Sequence, residues 1–250
     1  MLELKNISFT VSLIDGAKEI IRGVNLCVPS GKLVVVTGPN GGGKSTLAKL
    51  VAGIEKPTGG KIIFNGEDIT DLSVTDRAKR GIAFAFQQPV RFKGLDVQDL
   101  IRISAGKKIS VADACEYLSA VGLCARDYIS REVNSSLSGG ELKRIEIATV
   151  LARSAELAIF DEPEAGIDLW SFRNLIDVFE VMKKKSKERS ILIISHQERI
   201  LEIADEIIVL KDGGIAAQGK KDDVLPTLIG TSSAVSECGV LNSMKGGSAL

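Results

Sequence analysis

Leu33-Val34-Val35-Val36-Thr37-Gly38-Pro39-Asn40-Gly41-Gly42-Gly43-Lys44-Ser45-Thr46 is an apolar, β-branched run that breaks into glycines and then into a lysine–hydroxyl pair. The apolar part has the length and texture of a strand buried on both faces, as in a parallel sheet. The glycines let the main chain bend until successive N–H groups converge on phosphate oxygens. Lys44 to about Ala52, closed by Gly53, reads as a helix whose N-terminus adds about half a positive charge at the same spot. Strand, glycine loop, Lys-Ser and helix in this order predict a nucleotide phosphate site made by Gly38, Pro39, Asn40, Gly41, Gly42, Gly43, Lys44, Ser45 and Thr46. Lys44 neutralises β/γ-phosphate charge there, and the Ser45 hydroxyl ligates Mg²⁺.

Three further apolar runs end in polar residues in the same way: Ala83–Phe86 into Gln87, Ala158–Phe160 into Asp161-Glu162, and Ile191–Ile194 into Ser195-His196. Ligands of open parallel sheets bind beyond the carboxyl ends of the strands. If the four strands are parallel neighbours, Lys44, Gln87, Asp161, Glu162 and His196 meet at one γ-phosphate. Asp161 would hold Mg²⁺, and Glu162 would orient or deprotonate the attacking water, a task suited to a carboxylate whose pKa is raised by nearby negative charge. Read alone, Asp161-Glu162-Pro163 is equally an acidic strand-to-loop turn, and the chain's single histidine, His196, a structural one.

Elsewhere, Leu2–Val11 and Glu19–Val28 read as strands about an Asp15-Gly16 turn, with Lys61–Phe64 another. Between Gln88 and Leu137 the texture becomes helical, at Val97–Ala105 and Val111–Val121. Helix Gly139–Arg153, strand Leu157–Phe160, helix Ile167–Met182, strand Ile191–Ile194, helix Glu198–Ala204 and strand Ile207–Leu210 complete an α/β alternation. Residues 231–250 are rich in Ser and Gly and predict a loosely held tail. Lys183-Lys184-Lys185 with Lys187 reads as a solvated helix end.

Lys+Arg and Asp+Glu balance at 32 each, which gives no electrostatic footprint for nucleic acid. The apolar runs are strand-sized, too short for membrane insertion. Four scattered cysteines (Cys27, Cys115, Cys124, Cys238) make neither a zinc nor a disulfide pattern, and no secretory signal is evident. The expectation is a cytoplasmic protein.

Leu137-Ser138-Gly139-Gly140-Glu141 adds the most specific string. Ser138 and Glu141 have capping-box spacing, so the segment starts a helix; a capped N-terminus with two glycines is also an anion site. Downstream of a phosphate loop this string resembles the signature motif of ATP-binding cassette (ABC) ATPases. Gln87 matches that family's Q-loop, Asp161-Glu162 its Walker B pair, Asp168 its D-loop and His196 its switch histidine. The resemblance spans about residues 1–228. It implies a P-loop NTPase α/β fold in which a RecA-like core and an antiparallel β-subdomain occupy 1–87 and 138–230, an α-helical subdomain is inserted at 88–137, and a flexible tail follows at 231–250. It further implies ATP and Mg²⁺ as cofactors, catalysis by Glu162, His196 and Gln87, and metal contacts from Ser45, Gln87 and Asp161. Ser138 and the Gly139 and Gly140 amides would clamp the ATP of a second copy in an ATP-dependent homodimer, with Asp168 communicating between sites; Asp168 also suits an N-cap.

Asp76-Arg77-Ala78, Gly81 to Val90 around Gln87-Gln88-Pro89, Glu141 with Lys143-Arg144 and Glu146-Ile147, and His196 leading to Arg199-Ile200-Leu201 are similar to the SufC-type ATPase of iron–sulfur cluster assembly. Transporter ATPases usually carry Gln at position 141 and a small residue at 146. That branch implies a soluble SufB/SufD-like scaffold as partner. Asp161 to Asp168 instead resembles a transporter string, and a membrane permease is the alternative partner. A nucleotide-sensing dimerisation module is a third reading. Phe9 is the one aromatic before the loop, so adenine contact is expected to be apolar, near Val11. Phe92 and Leu95, beyond Gln87, are candidates for partner docking.

Overall fold

A computed structural model describes residues 1–14, 16–185 and 188–236. The chain opens with β1 (Leu2–Leu13), β2 (Gly16–Val28), β3 (Leu33–Thr37), α1 (Lys44–Ala52), β4 (Gly59–Phe64), β5 (Glu67–Asp68), α2 (Val74–Lys79) and β6 (Ile82–Ala85). Three helices follow: α3 (Val97–Ala105), α4 (Val111–Ala120) and α5 (Ala125–Tyr128). The remainder is α6 (Gly139–Arg153), β7 (Leu157–Asp161), α7 (Leu169–Lys185), β8 (Ser190–Ile194), α8 (Glu198–Glu202), β9 (Glu206–Lys211), β10 (Gly214–Lys220) and α9 (Lys221–Ser236).

Among the described residues the strands form two sheets. One is antiparallel, in the order β2-β1-β4-β5. The other runs β10-β9-β3-β8-β7-β6, parallel except for β10. β3, β8, β7 and β6 are thus parallel neighbours, and the register (Val36 beside Ile194, Asp161 beside Ile194, Ala85 beside Phe160) levels their carboxyl ends.

Alternation along these strands explains the layers. Val34, Val36, Leu192, Ile194 and Ile159 pack with α1 and the antiparallel sheet, through Leu47, Leu50, Leu4 and Ile21. Leu33, Val35, Ile191, Ile193 and Phe160 face the other way, onto α6 and α7 through Ile145, Ala148, Leu175 and Phe179. Each such Val, Leu or Ile contributes about 1.5–3 kcal/mol by leaving water. α3 and α4 pack on α6.

The structure extends or corrects several expectations. β1 and β2 pair out to Leu13 and Gly16. Their outer half is exposed and the pairing shifts register near Ile7 and Phe9, so alternation there carries no signal. β10 was missed, although Asp212-Gly213, with φ of 50° and 78°, is the turn chemistry of a hairpin. α9 runs into the segment expected to be loose and carries Pro226 inside it. Val224, Leu225 and Leu228 pack onto the core, and that burial outweighs the proline. The rest of the tail and Cys238 lie outside the described residues, as does Lys187. Lys183 is not a solvated cation: it pairs with Asp205 at 2.9 Å and donates to Ile203 O at 3.2 Å.

Candidate functional site

The glycine loop leaves β3 against the sheet's own backbone. A Cβ on Gly38 (φ 135°) would stand 2.0 Å from Leu210 O, so no other residue fits there. Gly213, the turn between β9 and β10, donates to Gly42 O at 3.2 Å, and the hairpin thereby braces the loop from behind. α1 begins without any side-chain cap, leaving its first N–H groups to the loop's concave side. Lys44, buried, donates to Gly38 O at 2.9 Å and Pro39 O at 3.0 Å. An ammonium held only by loop carbonyls can turn to phosphate oxygens with little change of main chain.

Ser45 Oγ donates to Asp161 Oδ1 at 2.9 Å, joining α1 to the end of β7. Asp161 is buried, and burial pushes its carboxyl above the ordinary value, with the Ser45 hydrogen bond opposing. A buried carboxylate beside a hydroxyl is a hard-oxygen pair that suits Mg²⁺. Among the described residues no cluster of His, Cys, Asp and Glu forms a self-sufficient metal cage, and a cation here relies on phosphate and water for its other ligands.

Glu162 follows at φ 44°, a left-handed conformation that costs a non-glycine residue about 1–2 kcal/mol. Its N–H donates to Ile194 O at 3.0 Å, which holds the turn. Gln87 Nε2 donates to Glu162 Oε2 at 2.5 Å. His196 lies exposed just past β8. Beside it, the Ser195 hydroxyl donates to Glu164 Oε1 at 2.5 Å, and Glu164 Oε2 is buried without a hydrogen-bond partner. Burial raises the Glu164 pKa, while Ser195 and the positive field of His196 oppose the shift. Glu164 was not singled out by sequence; two carboxylates flanking Pro163 were its only signal.

Ser138, Gly139 and Gly140 sit apart. Ser138 caps α6 in a reciprocal box, its N–H donating to Glu141 Oε2 at 2.6 Å and its Oγ accepting from Glu141 N at 3.3 Å. Among the described residues no hydrogen bond links this segment to the loop 38–46. A Cβ on Gly140 would meet Gly166 O at 3.2 Å, so the two glycine turns touch. Asp168 accepts from Ser171 N at 3.0 Å and Ser171 Oγ at 2.7 Å, which is N-cap geometry for α7. The structure therefore gathers the 38–46 loop, Gln87, Asp161, Glu162 and His196 at the carboxyl ends of the parallel strands, and Ser138–Gly140 at the start of α6 against the Gly166 turn.

Glu141 is held by more than its cap. The Tyr128 hydroxyl donates to it and Arg131 lies 3.7 Å away, stacked over the Tyr128 ring. The Tyr128 hydrogen bond, then the Ser138 N–H, bring its pKa from 4.5 down to about 2. Stability from this group is thus fully present above pH 4.5 and is lost as the pH falls toward 2. Tyr128→Phe should move the acid-unfolding midpoint to higher pH, followed by circular dichroism; an unmoved midpoint would show that Tyr128 does not hold the carboxylate.

A hydroxyl, carboxylates and an amide facing a lysine-bearing glycine loop across the ends of parallel strands define a P-loop nucleotide hydrolase. Comparison with known proteins narrows the class. Residues 21–165 match the ABC transporter family model. The chain is 40% identical over 217 residues to an uncharacterized ABC transporter ATP-binding protein of Methanocaldococcus jannaschii, covering 84% of this chain and 86% of that one. It is 35% identical over 234 residues to the probable ATP-dependent transporter SufC of Escherichia coli, covering 88% and 92%. In fold it is similar to a dimeric ATP-binding cassette in a post-hydrolysis state bound to ADP and Pi, with TM-score 0.80, 24% identity, and coverage of 88% of this chain and 99% of that one. The chain belongs to the ABC ATPase family and resembles its SufC type; it is an ATP-hydrolysing cassette.

Proposed function

We propose that two copies of this chain close head to tail on two ATP molecules, and that closure and hydrolysis remodel a SufB/SufD-like scaffold during iron–sulfur cluster assembly. The dimer reading is supported by the capped, glycine-bearing start of α6, which among the described residues makes no hydrogen bond to the chain's own phosphate loop and would serve as the second half of a phosphate cradle for another copy. A two-fold axis would complete both sites at once.

In this reading Lys44 exchanges the carbonyls of Gly38 and Pro39 for β/γ-phosphate oxygens. Ser45, Asp161 and Gln87 would hold the Mg²⁺ that arrives with ATP and offsets phosphate charge. Glu162, kept in place by Gln87, orients the water and takes its proton. His196 steadies the γ-phosphate, and the partner's signature amides cover it.

The scaffold reading is supported by the SufC-type relative and by an apolar groove beside Gln87. Phe86, Val90 and Phe92 are exposed around a cavity of about 140 Å³ floored by Leu142 and Ile145. Phe84 and Phe86 meet edge to face at 4.8 Å within it. Both Phe92 and Leu95 pair through their main chain with Val133, but Leu95 is half-buried and Phe92 exposed, so Phe92 is the better docking candidate of the two. No helix among the described residues is long and apolar enough to cross a membrane. The transporter-like string Asp161 to Asp168 favours a permease instead. Phosphate release should rise severalfold with a purified SufB/SufD-type pair and stay flat with a permease. Stimulation by the permease alone would reject the cluster-assembly role.

A further inference from the structure

Among the described residues the most deeply buried charge belongs to the signature helix. Lys143 is fully buried, one turn into α6, and Glu146, one turn further, lies 3.3 Å from its ammonium. The ammonium also lies within the field of Asp161 and Glu164. The hydrogen bonds of the pair close on a single stretch of main chain: Lys143 Nζ donates to Phe86 O and, at 3.4 Å, to Gln87 O, while Glu146 Oε1 accepts from Phe86 N at 2.9 Å. Phe86 is therefore gripped on both sides of its Cα, at the N–H of the peptide before it and the carbonyl of the peptide after it, by opposite charges from one helix. Gln87, the next residue, donates to Glu162.

Stability does not account for this arrangement. Replacing a buried ion pair by well-packed apolar residues is often neutral or stabilising, and the neighbouring positions Leu142, Ile145 and Ile147 show that this face accepts them. What the charges add is direction: two charge-assisted hydrogen bonds orient the two peptide planes that flank Phe86, which an apolar pair would only cover. The lever is short. Ser138, at the helix start, is about 8 Å along the axis from Lys143 at the helical rise.

We propose that the Lys143–Glu146 pair is a positioning clamp through which the signature helix sets the Phe86-Gln87 main chain, and with it the contact between Gln87 and Glu162. It rests on the roles given above to Gln87 and Glu162, and adds a device for those roles. In a closed dimer, the helix whose N-terminus touches the partner's ATP also sets the hydrolytic residues at its own. Loading of one site is thereby felt at the other through a rigid helix.

The test removes both charges together, as Lys143→Met with Glu146→Leu, in the full chain. Turnover should fall roughly tenfold to a hundredfold, the scale of a small misplacement of reacting groups, with KM for ATP unchanged. Amide exchange across residues 82–90 should speed up while α6 stays protected. Gln87→Ala in that background should add no further loss, since residues acting as one unit are not additive. Glu146→Gln is the milder variant and, should the pair of substitutions not fold, carries the same readouts: slower turnover with faster exchange at Phe86. Wild-type turnover in a folded variant, or losses that multiply with Gln87→Ala, would overturn the clamp. Unimpaired turnover in Gln87→Ala alone would instead overturn the role of Gln87, and the clamp with it.

Discussion

Glu162→Gln should bind ATP, lower turnover by about 10²–10⁴-fold and accumulate an ATP-bound dimer, the range expected when a general base is lost. The substitution is nearly isosteric, and the restraints around it survive. The left-handed turn at residue 162 is held by its own N–H on Ile194 O, and an amide oxygen can still accept from Gln87. Lys44, Ser45 and Asp161 lie on other contacts, so the proposed phosphate and Mg²⁺ ligands are left in place. Binding and chemistry therefore separate: ATP closes the pair, and the step that would reopen it is slowed. Size-exclusion with ATP and a phosphate-release assay measure the two halves. Rapid turnover by this variant would remove Glu162 from the proposed role, leaving Glu164, half-buried and hydrogen-bonded to Ser195, as the next carboxylate to examine.

The largest loss of stability is expected at Arg77. Its side chain is 1% exposed, and its guanidinium donates to Leu50 O at 2.7 Å, Val51 O at 2.9 Å, Thr70 O at 2.8 Å and Leu72 O at 3.2 Å. Two of these carbonyls are at the C-terminal end of α1, where a cation also complements the helix dipole. Arg77→Leu fills part of the volume but leaves the four acceptors facing an apolar group. A loss of about 3–5 kcal/mol follows from orphaned buried carbonyls together with lost charge-assisted bonds. Urea denaturation measures it. Nucleotide affinity should change less than stability, because the loop itself is braced at the opposite end of α1. A loss under about 1 kcal/mol would mean that water replaces the guanidinium.

The sheet edge was legible because its signals are local. Each of β3, β6, β7 and β8 is an apolar run that stops at a polar or glycine residue, and the expected convergence needed only parallel neighbours in register. Helix α6 was readable from Ser138 to Arg153 for a similar reason, its cap and its end lying within the segment. What escaped depends on residues far apart in sequence. The grip of Lys143 and Glu146 on Phe86 spans 57 and 60 positions, and nothing within α6 distinguishes a buried pair from a surface one. Arg77 looked like part of a family string until α1 was seen to end on it. Lys183 belonged by composition to a solvated cluster; Asp205 and Ile203, distant in the chain, make it a tether. Asp168 shows the N-cap geometry that was one of its two readings.

The closeness of Gly38 to the Leu210 carbonyl bears on how damage to this chain would present. Because that wall belongs to the fold, the loop's shape is settled when the sheet closes, before any ligand arrives, and ATP has little of it left to order. An alanine at Gly38 is then a lesion of biogenesis first: its signature is poor yield and aggregation, because the added Cβ cannot be housed against the Leu210 carbonyl without moving the loop. A lesion at Lys44 has the reverse profile, abundant protein that is blind to its ligand. A laboratory sorting variants of this loop could separate the two kinds by expression level alone, before any assay with nucleotide.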